Sequence, residues 1–210
     1  MKRLRRLRLQ QLLRHDQKFR RRLKLESGLL AGVDEAGRGP LAGPVLAAAV
    51  ILHQFPTDVP VDDSKRLAPA ARERAFSRIV QCAFVGVGAV WQEEIDRIGI
   101  HVATRQAMLR ALERLPVHPR WVLVDGRDPL PGCPFSVSPV IGGDGKSLVI
   151  ACASIVAKVI RDRWMVRLDR VHPEYGFRRH KGYGTPEHLR ALQAVGPSLF
   201  HRFSFRPMAG

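Results

Sequence analysis

The 210-residue sequence predicts an α/β fold, a mixed sheet flanked by helices in one domain. Apolar runs of strand length come first as a cluster and then alternate with segments of helical period. No linker separates them. Hydrophobic residues make up 45% of the chain and charged residues 26%, a balance that can bury one sizeable core.

The elements follow in order. Residues 1–27 read as an Arg-rich helix with Leu4, Leu7, Leu12 and Leu13 as a partial apolar stripe. Residues 29–33 are a short apolar strand that ends at Asp34 and Glu35 and is broken by Gly37-Arg38-Gly39-Pro40. Val45–Leu52 is apolar throughout, as in a strand buried on both faces. Residues 69–80 predict a helix with Pro69 in its first turn, and the Val-rich residues 84–91 a third strand. In residues 100–115 the apolar positions recur at helical spacing. Residues 121–124 form a compact strand stopping at Asp125-Gly126, and 135–141 another that ends in Gly142-Gly143-Asp144-Gly145. Residues 148–168 are the longest helix, with an Ala- and Val-rich face. Thr185-Pro186-Glu187 opens a last helix, with Thr as cap, Pro in the first helical position and an acid in the first turn.

The formal charge is +16 and the sequence pI about 11.2. Such a balance points to a polyanionic partner, because each Lys or Arg that neutralises a phosphate releases condensed counterions. Nucleic acid is favoured, with an anionic membrane surface as the weaker rival. Residues 1–28 hold eleven Lys or Arg against Asp16 and Glu26, a net +9 of the total. Three readings of this segment stay open, a helix packed on the body, a mobile arm attracted to phosphates or a targeting peptide, beside the plain one of a solvated basic face with incidental affinity for nucleic acid. No apolar run approaches the length of a membrane span, and no secretory signal is visible. Cys82, Cys133 and Cys152 suit neither a disulfide framework nor a zinc site, so a cytoplasmic location is expected.

The acids share a placement. Asp34 and Glu35 end one strand, Asp125 ends another, and Asp144 lies in a glycine-rich turn before the longest helix. Ligand sites of open α/β sheets gather outside the carboxyl ends of strands. Carboxylates brought together there repel one another unless protons or cations neutralise them. Oxygen ligands of this kind suit Mg²⁺ or Mn²⁺, and a pair of such ions can activate a water on one side of a phosphorus and stabilise the departing oxygen on the other. Acids at strand ends also commonly cap helices or face solvent, and spacing alone does not choose between the two.

Specific blocks choose. Leu30-Ala31-Gly32-Val33-Asp34-Glu35-Ala36-Gly37-Arg38-Gly39-Pro40-Leu41-Ala42-Gly43-Pro44 resembles the opening signature of ribonuclease HII, the type 2 ribonucleases H. The likeness continues through Asp63-Ser64-Lys65, Val124-Asp125-Gly126, Gly143-Asp144-Gly145-Lys146-Ser147 and Ala153-Ser154-Ile155-Val156-Ala157-Lys158-Val159. Arg161-Asp162, His180-Lys181-Gly182-Tyr183-Gly184-Thr185 and Arg202-Phe203-Ser204-Phe205 complete it, in the family's order, over about residues 29–207.

The resemblance implies a ribonuclease H-like fold with a helical C-terminal portion, divided as a basic extension at 1–28 and a catalytic domain at 29–210. It implies that Asp34, Glu35, Asp125 and Asp144 are catalytic and hold two divalent ions, Mn²⁺ or Mg²⁺. Asp162 is a rival acid, whose place in a helix beside Arg161 and Arg163 fits a structural ion pair. Gly37, Arg38 and Gly39 match the segment that reads a ribose 2′-hydroxyl, a task suited to glycine backbone because its N–H and C=O groups can come close. Tyr183 matches a tyrosine packed on the ribose, and Lys65, Lys146 and Lys181 are expected phosphate contacts. His172 and His180 are read as structural.

The implied activity is metal-dependent endonucleolytic hydrolysis of RNA in RNA–DNA hybrids, with incision on the 5′ side of ribonucleotides embedded in duplex DNA. It leaves 5′-phosphate and 3′-hydroxyl ends. The expected partner is nucleic acid rather than membrane, and the expected state a monomer. Two departures, Gly99 for a frequent Asn and Cys152 for a frequent Ala, read as packing changes. A type 3 ribonuclease H is disfavoured because 28 preceding residues are too few for that family's extra domain. A non-catalytic binding protein would have no use for the carboxylates.

Overall fold

The computed structural model describes residues 2–25, 29–56 and 67–208. Lys65, with Asp63 and Ser64, lies outside the described residues. The first helix, α1 (Lys2–Leu23), precedes β1 (Leu30–Ala36) and β2 (Val45–Leu52). There follow α2 (Pro69–Cys82), β3 (Ala83–Val90), α3 (Gln92–Ile98), α4 (Ile100–Glu113), β4 (Trp121–Asp125) and β5 (Ser136–Val140). The long helix α5 (Leu148–Val171) leads to the helical end of the chain, α6 (Phe177–His180) and α7 (Pro186–Val195). Strand and helix positions agree with the sequence pattern. The short α3 and α6 were not legible in it, and Asp34 and Glu35 lie inside β1 rather than beyond its end.

The sheet is mixed, ordered β3-β2-β1-β4-β5. β1 pairs antiparallel with β2 and parallel with β4, while β2–β3 is antiparallel and β4–β5 parallel. Pleating sends alternate side chains to opposite faces. On one face Leu46, Ala48 and Val50 meet α5, α2 and α1, whose Leu9 and Leu12 are buried there. On the other, Val45, Ala47, Ala49 and Ile51 meet α4 and Ile95 of α3. β2 is thus covered on both sides, as its unbroken apolar run requires. Among the described residues no helix is long and apolar enough to cross a membrane.

β1 and α5 pack backbone against backbone. A β-carbon on Gly32 would stand 2.2 Å from the carbonyl carbon of Val149 and 2.4 Å from the nitrogen of Ile150. Glycine is therefore the residue that lets the first turn of α5 rest on the strand backbone. That seat fixes α5, and with it everything α5 touches. A third apolar cluster of Ala42, Met165, Leu168, Tyr175 and Phe177 joins the far half of α5 to the C-terminal helices. Gly32→Ala is expected to lower Tm by roughly 5 °C or more, since overpacking against rigid backbone typically costs about 1–3 kcal/mol or more. Thermal unfolding followed by circular dichroism measures this, and an unchanged Tm would mean that α5 can shift without loss.

Candidate active site

The parallel register of β1 and β4 builds the centre. Val33 and Val124 are register partners, so Asp34 and Asp125, the next residue on each strand, lie side by side. Both side chains turn to the α5 face. Asp34 is buried, accepts the Glu35 N–H at 2.7 Å and is hydrogen-bonded by Ser154 of α5. Asp125 accepts the Gly143 N–H at 2.6 Å, which draws the single 3-10 turn Gly143–Gly145 onto the end of β4. Asp144 is the middle residue of that turn. Glu35 points to the opposite face, into a cleft of about 290 Å³ shared with Arg38, His101, Thr104, Asp125 and Arg127.

Crowding shows in the acidities. Burial pushes the Asp34 carboxyl well above its ordinary range, and the neighbouring Glu35 and Asp125 charges push it further, against the hydrogen bonds from Ser154 and the Glu35 backbone. Burial also raises Glu35; Arg38, 3.4 Å away, works against it and Asp125 adds to it. Arg38 reaches past Glu35 to the Nδ1 of His101 at 3.3 Å. Among the described residues no three His, Cys, Asp or Glu side chains form a ready-made metal-binding group. The donor set still fits a hard divalent cation. Its donors are all carboxylate oxygens at one end of the sheet, and their mutual repulsion is what a cation would relieve.

The Gly37-Arg38-Gly39 loop is held from beneath by two buried arginines. Arg202 donates to the carbonyls of Gly37 at 2.6 Å, Arg38 at 2.9 Å and Gly43 at 3.0 Å. Arg161 donates to Pro44 at 3.0 Å, Ala42 at 3.1 Å and Lys181 at 3.0 Å. Gly37 has φ +94°, and a β-carbon there would strike Arg161 Nε at 1.9 Å, so the position admits only glycine on both counts. Burial lowers the guanidinium acidity constants to about 10 for Arg161 and about 9 for Arg202, which leaves both charged at neutral pH. Carbonyl dipoles take the place of water around them.

The same arginines connect the Gly37–Gly39 loop to the segment that carries Tyr183. Through Lys181 O, Arg161 fixes the loop that carries Tyr183, and Leu41 N–H donates to Gly182 O at 2.8 Å. The exposed Tyr183 ring thereby stands over Gly39, with its edge carbon 3.8 Å from where a β-carbon would be. Lys181 borders a groove of about 680 Å³ between α2 and α5, lined by seven Lys or Arg and only Glu73 and Asp162 as acids. Lys146 is exposed next to Asp144 and donates to Ile141 O at 2.7 Å. Asp162 makes the structural ion pair expected of it, but its partners are Lys158 at 2.6 Å and Arg72 at 3.3 Å. Its sequence neighbours are engaged elsewhere, Arg161 with carbonyls and Arg163 with Glu73. Helical geometry explains this, because residues four apart share a face and adjacent ones do not.

Sequence reasoning assigned no role to Ser154 or Arg202 and read Arg161 only as a charged neighbour of Asp162, although all three lie in the matching blocks. The available signal was polarity out of place: an Arg and a Ser on the apolar face of the longest helix. It also passed over His188 and His201. Both are fully buried, and they form a directional chain beneath Tyr183. Ser198 N–H donates to His201 Nδ1 at 2.9 Å, the two Nε2 atoms lie 3.0 Å apart, and His188 Nδ1 faces Tyr183 O at 3.0 Å. The network reads as His201 Nε2–H donating to His188, and His188 Nδ1–H donating to Tyr183 O. His180, as expected, is structural, between Tyr175 O at 2.8 Å and Gly182 N–H at 3.2 Å.

Burial lowers both His188 and His201 below the ordinary imidazole range and so favours their neutral forms. Burial, then the proximity of His188, lowers His201 to about 4, from 6.5 in an unfolded chain. The unfolded state therefore binds the proton first, and the stability present above pH 6.5 is lost as pH falls from 6.5 toward 4. Tm of the wild type should fall more steeply across that window than Tm of His201→Gln; equal slopes would remove His201 from the account. At the carboxylates the sign is reversed. Asp34 ionises in the fold against burial and like charge, so the fold loses stability as pH rises above the ordinary carboxylate range. In chelator at pH 8, Asp34→Asn is expected to raise Tm, and a lower Tm would mean that the ionised group is already compensated.

With this geometry in view, the likeness to known proteins is specific. The family model for ribonuclease HII matches residues 31–208. The chain is 53% identical over 180 residues to the ribonuclease HII of Geobacillus thermodenitrificans, covering 85% of this chain and 69% of that protein. It is 54% identical over 183 residues to the ribonuclease HII of Rhizorhabdus wittichii, covering 86% and 89%. The crystal structure of ribonuclease H2 from Pyrococcus horikoshii superimposes with a TM-score of 0.75 at 28% identity, covering 86% of this chain and 95% of that one. The chain therefore belongs to the ribonuclease HII family, and its enzymatic class is that of an endoribonuclease, a hydrolase.

Proposed function

We propose that this enzyme hydrolyses the RNA strand of RNA–DNA hybrids and also incises duplex DNA on the 5′ side of an embedded ribonucleotide, leaving a 5′-phosphate and a 3′-hydroxyl. The observation that carries the reading is the convergence of Asp34, Glu35 and Asp125 next to the Gly37–Gly39 loop and Tyr183. An acidic centre would repel phosphate by itself. It makes sense on a phosphodiesterase only as an anchor for Mg²⁺ or Mn²⁺, held by the oxygens of Asp34, Glu35, Asp125 and Asp144. Such ions, when bound, supply neutralisation of phosphoryl charge, activation of the attacking water and stabilisation of the departing 3′ oxygen.

The chain's own residues do the rest. Asp34 and Asp125 are fixed by strand register, so the ligand oxygens are set before substrate arrives. Ser154 and the Glu35 N–H orient Asp34, and the Gly143 N–H orients Asp125. No side chain is needed as a covalent nucleophile. The loop carbonyls of Gly37 and Arg38 are engaged by Arg202, which stiffens the backbone that meets the 2′-hydroxyl. Tyr183 offers its ring to the sugar beside that loop. Lys181 and the cationic α2–α5 groove would hold the duplex by its phosphates whatever its sequence. The enzyme is proposed to act as a monomer.

The test is cleavage of a labelled DNA duplex containing one ribonucleotide, with Mg²⁺ or Mn²⁺, comparing the wild type with Asp125→Asn. Metal-dependent incision 5′ to the ribonucleotide, absent in the variant and on all-DNA duplex, is the expected result. A wild-type protein that binds the duplex and cuts it under neither metal would overturn the reading in favour of a binding module.

A further inference from the structure

Of the four acids at the sheet end, three stand on strands. Asp144 does not: it sits in a glycine-flanked turn, and Gly142 before it is in the left-handed region. What holds that turn comes largely from α1, a helix that ends before the part of the chain matching the family. Arg8 donates through Nη2 to Gly145 O at 2.8 Å, gripping the last residue of the turn. Asp16, 3% exposed, accepts the Val149 N–H at 3.0 Å, across a sequence separation of 133 residues. Ser147, the cap of α5, accepts only the Ile150 N–H, so Asp16 satisfies a helix-start donor that the local sequence leaves open. The two contacts bracket residues 145–149, and the Gly143 bond to Asp125 closes the other side.

α1 is anchored well enough to act as a clamp. Leu9 and Leu12 are buried against α2 and α5, and Phe19 meets Trp121 at the start of β4 edge-to-face with ring centroids 5.9 Å apart. The buried Asp16 carboxylate has compensating charge on its own helix from Arg20, and its Oδ1 lies 3.3 Å from His15 Nδ1. The basic segment thus places one acid and one base against the turn that carries Asp144.

We propose that α1 is a positioning element of the active site, in which Arg8 and Asp16 hold the 143–149 segment so that Asp144 faces the other three carboxylates. The proposal rests on the reading of Asp144 as the fourth metal-holding acid. Neither Arg8 nor Asp16 touches substrate. Each acts on Asp144 through the backbone of the turn and of the first turn of α5.

The test compares Arg8→Ala, Asp16→Ala and the acceptor-keeping Asp16→Asn with Asp144→Asn and the wild type. Three readouts are used: hydrogen exchange of residues 142–150 without metal, Mn²⁺ affinity by titration calorimetry without substrate, and kcat and KM on the ribonucleotide-containing duplex. Arg8→Ala should keep the wild-type Tm, exchange faster in 142–150 and bind Mn²⁺ roughly tenfold more weakly, the lower end for loss of a partner that orients a metal ligand. kcat should fall with KM unchanged. Asp16→Asn should recover most of what Asp16→Ala loses, and in an Asp144→Asn background Arg8→Ala should cost nothing further. If Asp16→Ala does not fold, Arg8→Ala and its double variant with Asp144→Asn decide alone. Unchanged Mn²⁺ affinity and kcat in Arg8→Ala, with Asp144→Asn inactive, would sink the clamp and spare the reading of Asp144. A fully active Asp144→Asn would sink that reading instead.

Discussion

The contact of α5 with β1 over Gly32 is the constraint on which the site depends. Because the strand has no side chain there, the helix start rests on backbone, and the first two turns of α5 are placed to within the width of a methyl group. The groups around the carboxylates are then measured from α5. Ser154, two turns along, meets Asp34. Arg161, two turns further, reaches the loop after β1 and the loop before Tyr183. The turn bearing Asp144 is the direct lead-in to the same helix. One close approach therefore sets the mutual distances of groups that come from four separate stretches of chain.

Electrostatics is arranged in layers around that frame. The centre is acidic and destabilised by its own crowding, while the surrounding surface is strongly cationic. Between them lie two buried guanidiniums that pair with no carboxylate in the described residues and are solvated by six backbone carbonyls, those of Gly37, Arg38, Gly43, Ala42, Pro44 and Lys181. Carbonyls suit this position better than carboxylates would. They satisfy the fork of donors without adding negative charge beside Asp34 and Glu35, and they fix backbone rather than a side chain. The histidine chain behind Tyr183 follows the same logic, using neutral rings to fix a carbonyl in a region already dense with positive charge.

α1 changes how the basic extension is understood. Its charge suggested an arm or an address, yet its buried face carries Leu9, Leu12 and Asp16, and the acid does the most specific work. A solvated basic face and a packed structural face coexist on one helix, because residues four apart share a side while the charge is spread round the remainder. Of the three readings of the segment, packing on the body is what the structure displays.

The sequence by itself determined the strands, the long helices, the mixed architecture and the family, because period-two and period-3.6 patterns and contiguous motif blocks are local properties of the chain. It also placed Asp125 at a strand end and Asp34 and Glu35 close to one, since a strand's boundary is written in the change from apolar to polar, although β1 runs on to Ala36. It could not decide which strands are neighbours, and hence that Asp34 and Asp125 are adjacent; that follows from the β1–β4 register. Nor could it assign partners to Asp162, Arg161 and Arg202, or see that Asp16 completes a helix start 133 residues away. Those depend on burial and on the direction of side chains in three dimensions. A buried polar group must find a partner wherever the fold brings one, and only the tertiary structure says where that is.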